Sequence, residues 1–194
     1  MEATSSKRGK LVVISGPAGV GKSTIVRQAL AATGAQYSVS VTTRPMRLGE
    51  VDGRDYRFVG RAAFEEMIRE GRLLEWAEVF GNLYGTPSEP VQQAIAQGRT
   101  IILEIDVQGA LQVAKAMPSA EFVLILPPDQ RELEARLKGR GSEDEESLRR
   151  RLGKARQEID TARASGVYHY IVVNDDLKQA VTEVVRIVQG ESSE

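Results

Sequence analysis

The chain has 194 residues, 41% of them hydrophobic and 27% charged, with a formal net charge of −1 and no cysteine. That size and balance suit one α/β domain with a small inserted subdomain, and a charge so close to zero supplies no general attraction to nucleic acid or to a membrane surface. The lack of cysteine excludes disulfides, thiol nucleophiles and cysteine-built zinc sites. The lone His169, in Tyr168-His169-Tyr170, is expected to be structural rather than part of a metal centre.

Residues 1–10 are polar and end in Lys-Arg-Gly-Lys, without the apolar stretch of a signal peptide. No apolar run approaches the roughly 18 residues of a membrane span. The expectation is a soluble cytoplasmic enzyme with flexible ends at 1–10 and 191–194.

The apolar run Leu11-Val12-Val13-Ile14-Ser15 reads as a buried strand, followed by Gly16-Pro17-Ala18-Gly19-Val20-Gly21-Lys22-Ser23-Thr24 and then a helix closed by Gly34. Strand, glycine loop and helix in that order meet the pattern G-x-x-x-x-G-K-S/T of a phosphate-binding loop in full. Glycines let successive backbone N–H groups turn inward as an anion cradle, and the helix N-terminus adds partial positive charge. Lys22 is expected to reach the β- and γ-phosphates of a nucleoside triphosphate, and the Ser23 hydroxyl to ligate Mg²⁺.

Tyr37–Thr43 alternates apolar and hydroxyl residues as a strand does, and the aperiodic stretch Arg44–Asp55 reads as an ordered functional loop. A strand at Tyr56–Val59, a helix at Ala62–Glu70, a strand at Leu73–Phe80 and a loop at Gly81–Thr86 follow. A helix is expected over Pro87–Gln97, a buried strand over Thr100–Asp106, a helix over Gln108–Met117 and a strand over Glu121–Leu126. Glu104 and Asp106 end their strand beside the phosphate loop, where either could hold Mg²⁺ through water. Asp129–Arg163 carries ten Arg/Lys and nine Asp/Glu, and Asp129 can cap a helix there. A strand at Ile171–Asn174 and a helix at Leu177–Val188 close the chain. Strand–helix alternation predicts a doubly wound, mainly parallel sheet with helices on both faces.

A phosphate loop alone leaves kinases, GTPases, motors and transporters open. Asn-Lys-x-Asp, which a switch GTPase would use to read its base, is absent. The arginine- and tyrosine-rich loop together with the later arginine-rich helical segment favours a small-molecule kinase.

Further motifs narrow this. Ser40-Val41-Thr42-Thr43-Arg44 through Arg47, Gly49-Glu50, Gly53, Asp55-Tyr56, Glu75-Trp76-Ala77, Gly81-Asn82, Tyr84-Gly85-Thr86, Asp106-Val107-Gln108-Gly109, Arg136 to Gly141 and Val173-Asn174-Asp175-Asp176 occur in one order. From about Leu11 to Gln189 the chain thus resembles guanylate kinase. The resemblance implies ATP + GMP = ADP + GDP with Mg²⁺, a purine-nucleotide phosphotransfer on small molecules (dGMP included), with no nucleic-acid or membrane partner. It divides 11–190 into a core (11–36, 87–128 and 164–190), a GMP-binding subdomain (37–86) and a lid (129–163). It assigns ATP binding to Gly16–Thr24, Arg140 and Asn174, with Asn174 near the adenine. GMP would fall to Ser40, Arg44, Arg47, Tyr56, Glu75, Tyr84, Thr86, Glu104 and Asp106, and catalysis to Lys22, Arg44, Arg136, Arg140 and Arg151.

The residue types make physical sense of that assignment. Guanine offers N1–H and N2–H₂ donors beside the O6 acceptor, so a carboxylate (Glu75) and hydroxyls (Ser40, Thr86) suit it. Guanidinium forks at Arg44 and Arg47 with the phenols of Tyr56 and Tyr84 suit a phosphate dianion. Arg149 and Arg150 are as consistent with a solvated helix face as with a site. Two alternatives stand at this point: a related kinase for another phosphorylated small molecule, and a non-catalytic guanylate-kinase-like module that binds phosphopeptides.

Overall fold

The five residues Leu11–Ser15 form strand β1, and every one of them is buried. In the computed structural model, which describes residues 9–79, 81–138 and 145–191, this strand is the middle of a five-stranded sheet. Its neighbours are β7 (Ile101–Glu104) and β8 (Glu121–Leu126), with β2 (Gln36–Tyr37) and β9 (Tyr170–Val173) at the edges. All four pairings are parallel. The inner strands β7, β1 and β8, covered on both faces, have no water-facing side, which accounts for their nearly continuous apolar sequences.

Alternate side chains serve opposite layers. Val12 and Ile14 pack with Ile25, Val26 and Ala29 of α1 (Lys22–Thr33) and with Val184 and Ile187 of α7 (Leu177–Gln189). Leu11 and Val13 pack with Val91 and Ala94 of α3 (Ser88–Ala96) and with Ala110 and Val113 of α4 (Val107–Ala116). The doubly wound parallel core therefore matches the expectation. Its strands β7 and β8 leave β1 in opposite directions, so the C-terminal end of β1 is a topological switch point, where such sheets bind ligands.

A second sheet of four strands runs β4 (Arg57–Phe58), β3 (Val41–Thr42), β6 (Asn82–Pro87), β5 (Leu73–Val79). It packs Val41 and Leu83 on Phe64 and Met67 of α2 (Arg61–Arg69). Two more helices, α5 (Gln130–Lys138) and α6 (Glu145–Ser165), meet through Leu133, Leu137 and Ala155.

Three local expectations change. The run Tyr37–Thr43 is two strands, because Gln36–Tyr37 pairs with β7 in the core while Val41–Thr42 pairs with β6 in the small sheet. Gly81–Thr86 is mainly strand rather than loop: Gly81 turns at φ 76°, and Asn82 onward pairs antiparallel with β5. Gly9 and Lys10 are packed rather than frayed; Gly9 is buried, and the Lys10 ammonium donates to Glu121 Oε2 at 2.9 Å and to the Ile187 carbonyl at 2.9 Å. The remainder of the N-terminal stretch, 1–8, and residues 192–194 lie outside the described residues.

Candidate active site

The phosphate loop leaves β1 at Gly16, where an added Cβ would stand 2.3 Å from the Ile125 carbonyl oxygen of β8. No side chain fits so close to a neighbouring strand. At its far end Gly21 caps α1 with φ 96°, a left-handed conformation that glycine adopts without strain. The Lys22 ammonium folds back over the loop, donating to the carbonyls of Gly16 at 2.6 Å and Pro17 at 3.0 Å. Ser23 Oγ donates to Glu104 Oε1 at 2.7 Å, joining the start of α1 to the end of β7.

Beside the loop lies a cavity of about 280 Å³ lined by Lys22, Ser40, Tyr56, Glu75, Tyr84, Glu104 and Asp106 among others. Glu75 comes from β5 and is only 7% exposed. Thr86, directly opposite on β6, donates its hydroxyl hydrogen to Glu75 Oε1 at 2.6 Å. Burial pushes the Glu75 carboxyl up to about 7; the Thr86 hydroxyl works against that rise and Asp106 adds to it. The Asp106 carboxylate accepts the Gly109 N–H at 2.8 Å and caps α4.

Arg44 stands at the rim. Its guanidinium forks onto Glu50 at 3.0 and 2.7 Å, and its carbon lies 5.5 Å from the Tyr56 ring centre. Tyr56 and Tyr84 meet edge to face with centres 6.0 Å apart. Glu50 also accepts the Arg47 backbone N–H at 2.7 Å, and these bonds, from Arg44 first and then Arg47, hold its carboxylate below the usual range. The Arg47 side chain itself is exposed.

A second cleft, of about 370 Å³, opens on the other side of the loop between Gly19, Gly21, Thr24, Arg136, Asn174 and Leu177. Arg136 is held by Glu132 one turn back at 2.8 Å. Asn174 is 5% exposed and donates through Nδ2 to the Val20 carbonyl at 2.8 Å. Its amide therefore braces the phosphate loop.

The sequence model of the guanylate kinase family matches residues 8–191. The chain belongs to the guanylate kinase family. A guanylate kinase of Bacillus cereus is 49% identical over 188 residues, covering 96% of this chain and 90% of its own length. One from Synechocystis is 47% identical over 188 residues, covering 96% and 97% respectively. The crystal structure of guanylate kinase from Anaplasma phagocytophilum is 32% identical with a TM-score of 0.74, covering 97% of this chain and 88% of that one.

For this guanylate kinase family member the structure brings Lys22, Ser40, Tyr56, Glu75, Tyr84, Glu104 and Asp106 around one cavity, with Thr86 behind Glu75. It gathers Gly19, Gly21, Thr24, Arg136 and Asn174 around the other. Arg151 lies half-buried on α6, apart from both linings, and Arg140 lies outside the described residues. Arg149 and Arg150 face outward and pair with Glu145 and Glu146 at 3.6 and 4.0 Å, the solvated-face alternative. His169 is structural: its Nδ1 accepts the Phe122 backbone N–H at 3.1 Å, and its backbone N–H donates to the Phe122 carbonyl at 3.0 Å.

Two contacts escaped the sequence reading. Glu50 is the fork partner of Arg44, six residues away across a turn. Glu158 on α6 is 7% exposed and pairs with Lys154 at 3.7 Å, and its carboxylate also feels Lys22 and the Ala18 backbone of the phosphate loop. Burial raises its carboxyl above the ordinary value. An acid on the same stripe as Ala155, Ile159 and Ala162 was the available signal, since an acid at a buried helical position needs partners.

Proposed function

We propose that this protein transfers the γ-phosphoryl group of ATP to GMP, giving ADP and GDP, by direct in-line displacement. The observation that carries the assignment is that Lys22 of the phosphate loop and the Glu75–Thr86 pair share one cavity. A triphosphate cradled by Gly16–Thr24 then presents its last phosphate to an acceptor whose base lies against Glu75. Guanine N1–H and N2–H₂ face the Glu75 carboxylate, with Asp106 beside it and the hydroxyls of Ser40 and Thr86 completing the base edge. Arg44, Arg47, Tyr56 and Tyr84 take the GMP phosphate.

No general base is required. The attacking atom is a phosphate oxygen, largely ionised at neutral pH because the second phosphate pKa is about 6. Lys22, Arg44 and the arginines Arg136, Arg140 and Arg151 neutralise charge on the transferring group, which is the principal demand of phosphoryl transfer. Asn174 borders the adenine side of the donor site.

The metal donor set fits Mg²⁺. Ser23 Oγ and Glu104 Oε1 are hard oxygens 2.7 Å apart, and Mg²⁺ takes few protein oxygens beside substrate phosphates and water. Asp106 spends an oxygen on capping α4, which favours Glu104 as the nearer carboxylate. Ser23, with Glu104 nearby, would hold the ion, which would supply charge neutralisation at the donor phosphates.

The lid (129–163) and the GMP-binding subdomain (37–86) close on the core (11–36, 87–128 and 164–190) when both substrates are present, excluding water. No helix among the described residues is long and apolar enough to cross a membrane. ATP and GMP as substrates suit a cytoplasmic location. The test is a product analysis: incubation with ATP, Mg²⁺ and GMP should yield ADP and GDP in equal amounts. ADP without GDP would refute the transfer.

A further inference from the structure

The small sheet ends at β5, the strand that carries Glu75. An edge strand leaves every second pair of backbone groups without a strand partner. At Trp76 those groups point toward α4, and Gln112 answers both. The Trp76 N–H donates to Gln112 Oε1 at 3.2 Å, and Gln112 Nε2 donates to the Trp76 carbonyl at 3.0 Å. A primary amide carries one acceptor and two donors, so a single side chain reproduces the pair of bonds a neighbouring strand residue would make.

One turn earlier, α4 meets the adjacent residue of the same strand. An added Cβ on Gly109 would stand 2.9 Å from Glu75 Oε2, so the Glu75 carboxylate lies directly against the helix backbone. Gly109 and Gln112 are three residues apart and share a helix face. The same helix begins at Asp106, which lines the cavity with Glu75. Helix α4 therefore touches β5 at two consecutive residues, at the side chain of Glu75 and the backbone of Trp76. Arg44 and Tyr56 belong to the other end of the sheet, beside β3 and β4, two strands from this contact.

We propose that Gln112 is a positioning residue for base selection: it moors the base-reading edge of the GMP subdomain to the core and fixes Glu75 against Asp106. The inference rests on the assignment of Glu75 to guanine. The moored edge that reads the base then serves as the hinge about which the rest of the subdomain, around Arg44, closes on the phosphate. Losing the clamp loosens Glu75 while leaving the phosphate loop and the donor cleft as they are.

Trp76 is the only tryptophan of the chain and is 40% exposed, so its fluorescence reports on the clamp without reference to substrate. In Gln112→Ala, acrylamide quenching of Trp76 and its amide exchange should both increase. The KM for GMP should rise about 10-fold, the scale of two lost hydrogen bonds. The KM for ATP should stay within about 2-fold, since no bond to the phosphate loop changes. The preference for GMP over IMP, which lacks the 2-amino group, should shrink. Gln112→Glu keeps the acceptor for the Trp76 N–H and loses the donor to its carbonyl, so it should fall between the parent and Gln112→Ala. Unchanged quenching with an unchanged KM for GMP overturns the proposal, and so does an equal rise in both KM values, which indicates general damage. A parent protein that fails to phosphorylate GMP strikes the proposed function instead, and the Trp76 measurements still decide whether the clamp exists.

Discussion

Thr86 and Glu75 face each other across β6 and β5, and the Thr86 hydroxyl hydrogen points at the Glu75 carboxylate across 2.6 Å of buried space. The bond favours the ionised form that guanine needs, against a burial that favours the protonated one. Thr86→Val keeps the shape and removes the donor. We predict a KM for GMP raised about 10-fold, with the KM for ATP unchanged, as one buried charge-assisted hydrogen bond is lost. A variant with the parent's KM for GMP would show that the pair does not serve the base.

The position of Glu75 also predicts a pH signature. Its carboxyl titrates near 7 in the fold against an ordinary 4.5. Between those values the folded chain holds a proton that the unfolded chain has released, so stability falls as pH rises through this window and levels off above it. The full separation corresponds to about 3 kcal/mol. Glu75→Gln should therefore be the more stable protein at pH 8 and lose that advantage toward pH 4.5, by urea unfolding at both ends. Lower stability of the variant at pH 8 would contradict the burial argument. If GMP binds to the ionised carboxylate, as proposed, binding should release a proton near pH 7, visible as a buffer-dependent binding enthalpy.

Lys22 rests on the carbonyls of its own loop, 2.6 Å from that of Gly16. A cation held there is poised to swing onto a phosphate. Lys22→Ala should lower kcat by about 10²–10³-fold, the usual effect of removing one preorganised donor at a developing charge. GMP affinity should remain close to that of the parent, since the base site is intact. Undiminished turnover would remove Lys22 from the mechanism.

Arg44 is already engaged by Glu50, so under the proposed assignment the GMP phosphate would meet a guanidinium whose orientation is fixed in advance. Arg44→Ala should raise the KM for GMP about 10–100-fold. Glu50→Gln should give a smaller rise in the same direction, because it loosens the fork without removing it. Equal KM values in the parent and both variants would exclude this loop from phosphate binding.

How much of this was written in the chain depends on how locally each feature is encoded. The phosphate loop was legible in full because strand, glycines, Lys22 and helix are contiguous, and one spacing rule covers them. The core strands were legible because burial on both faces leaves long apolar runs. Strand β6 was not. Its Asn82 and Gly85 are poor strand formers, yet Gly85 is required where an added Cβ would stand 2.8 Å from the Glu75 carbonyl oxygen and 3.1 Å from Phe64. The split of Tyr37–Thr43 between two sheets was hidden because both halves carry the same alternation. Long-range partners were hidden altogether: Gln112 lies 36 residues from Trp76, and Asn174 lies 154 residues from Val20. Asn174 was expected at the adenine, and its bond to Val20 gives it a bracing contact that no local pattern reports.

If a buried, hydroxyl-supported carboxylate beside a phosphate loop makes GMP the acceptor, the enzyme should discriminate sharply among nucleoside monophosphates. Rates of ADP release from ATP and Mg²⁺, measured with GMP, AMP, CMP and UMP in turn, test it most directly. An unpaired Glu75 against the wrong base edge should leave AMP, CMP and UMP at least about 100-fold below GMP in kcat/KM. Turnover of AMP equal to that of GMP would contradict the account.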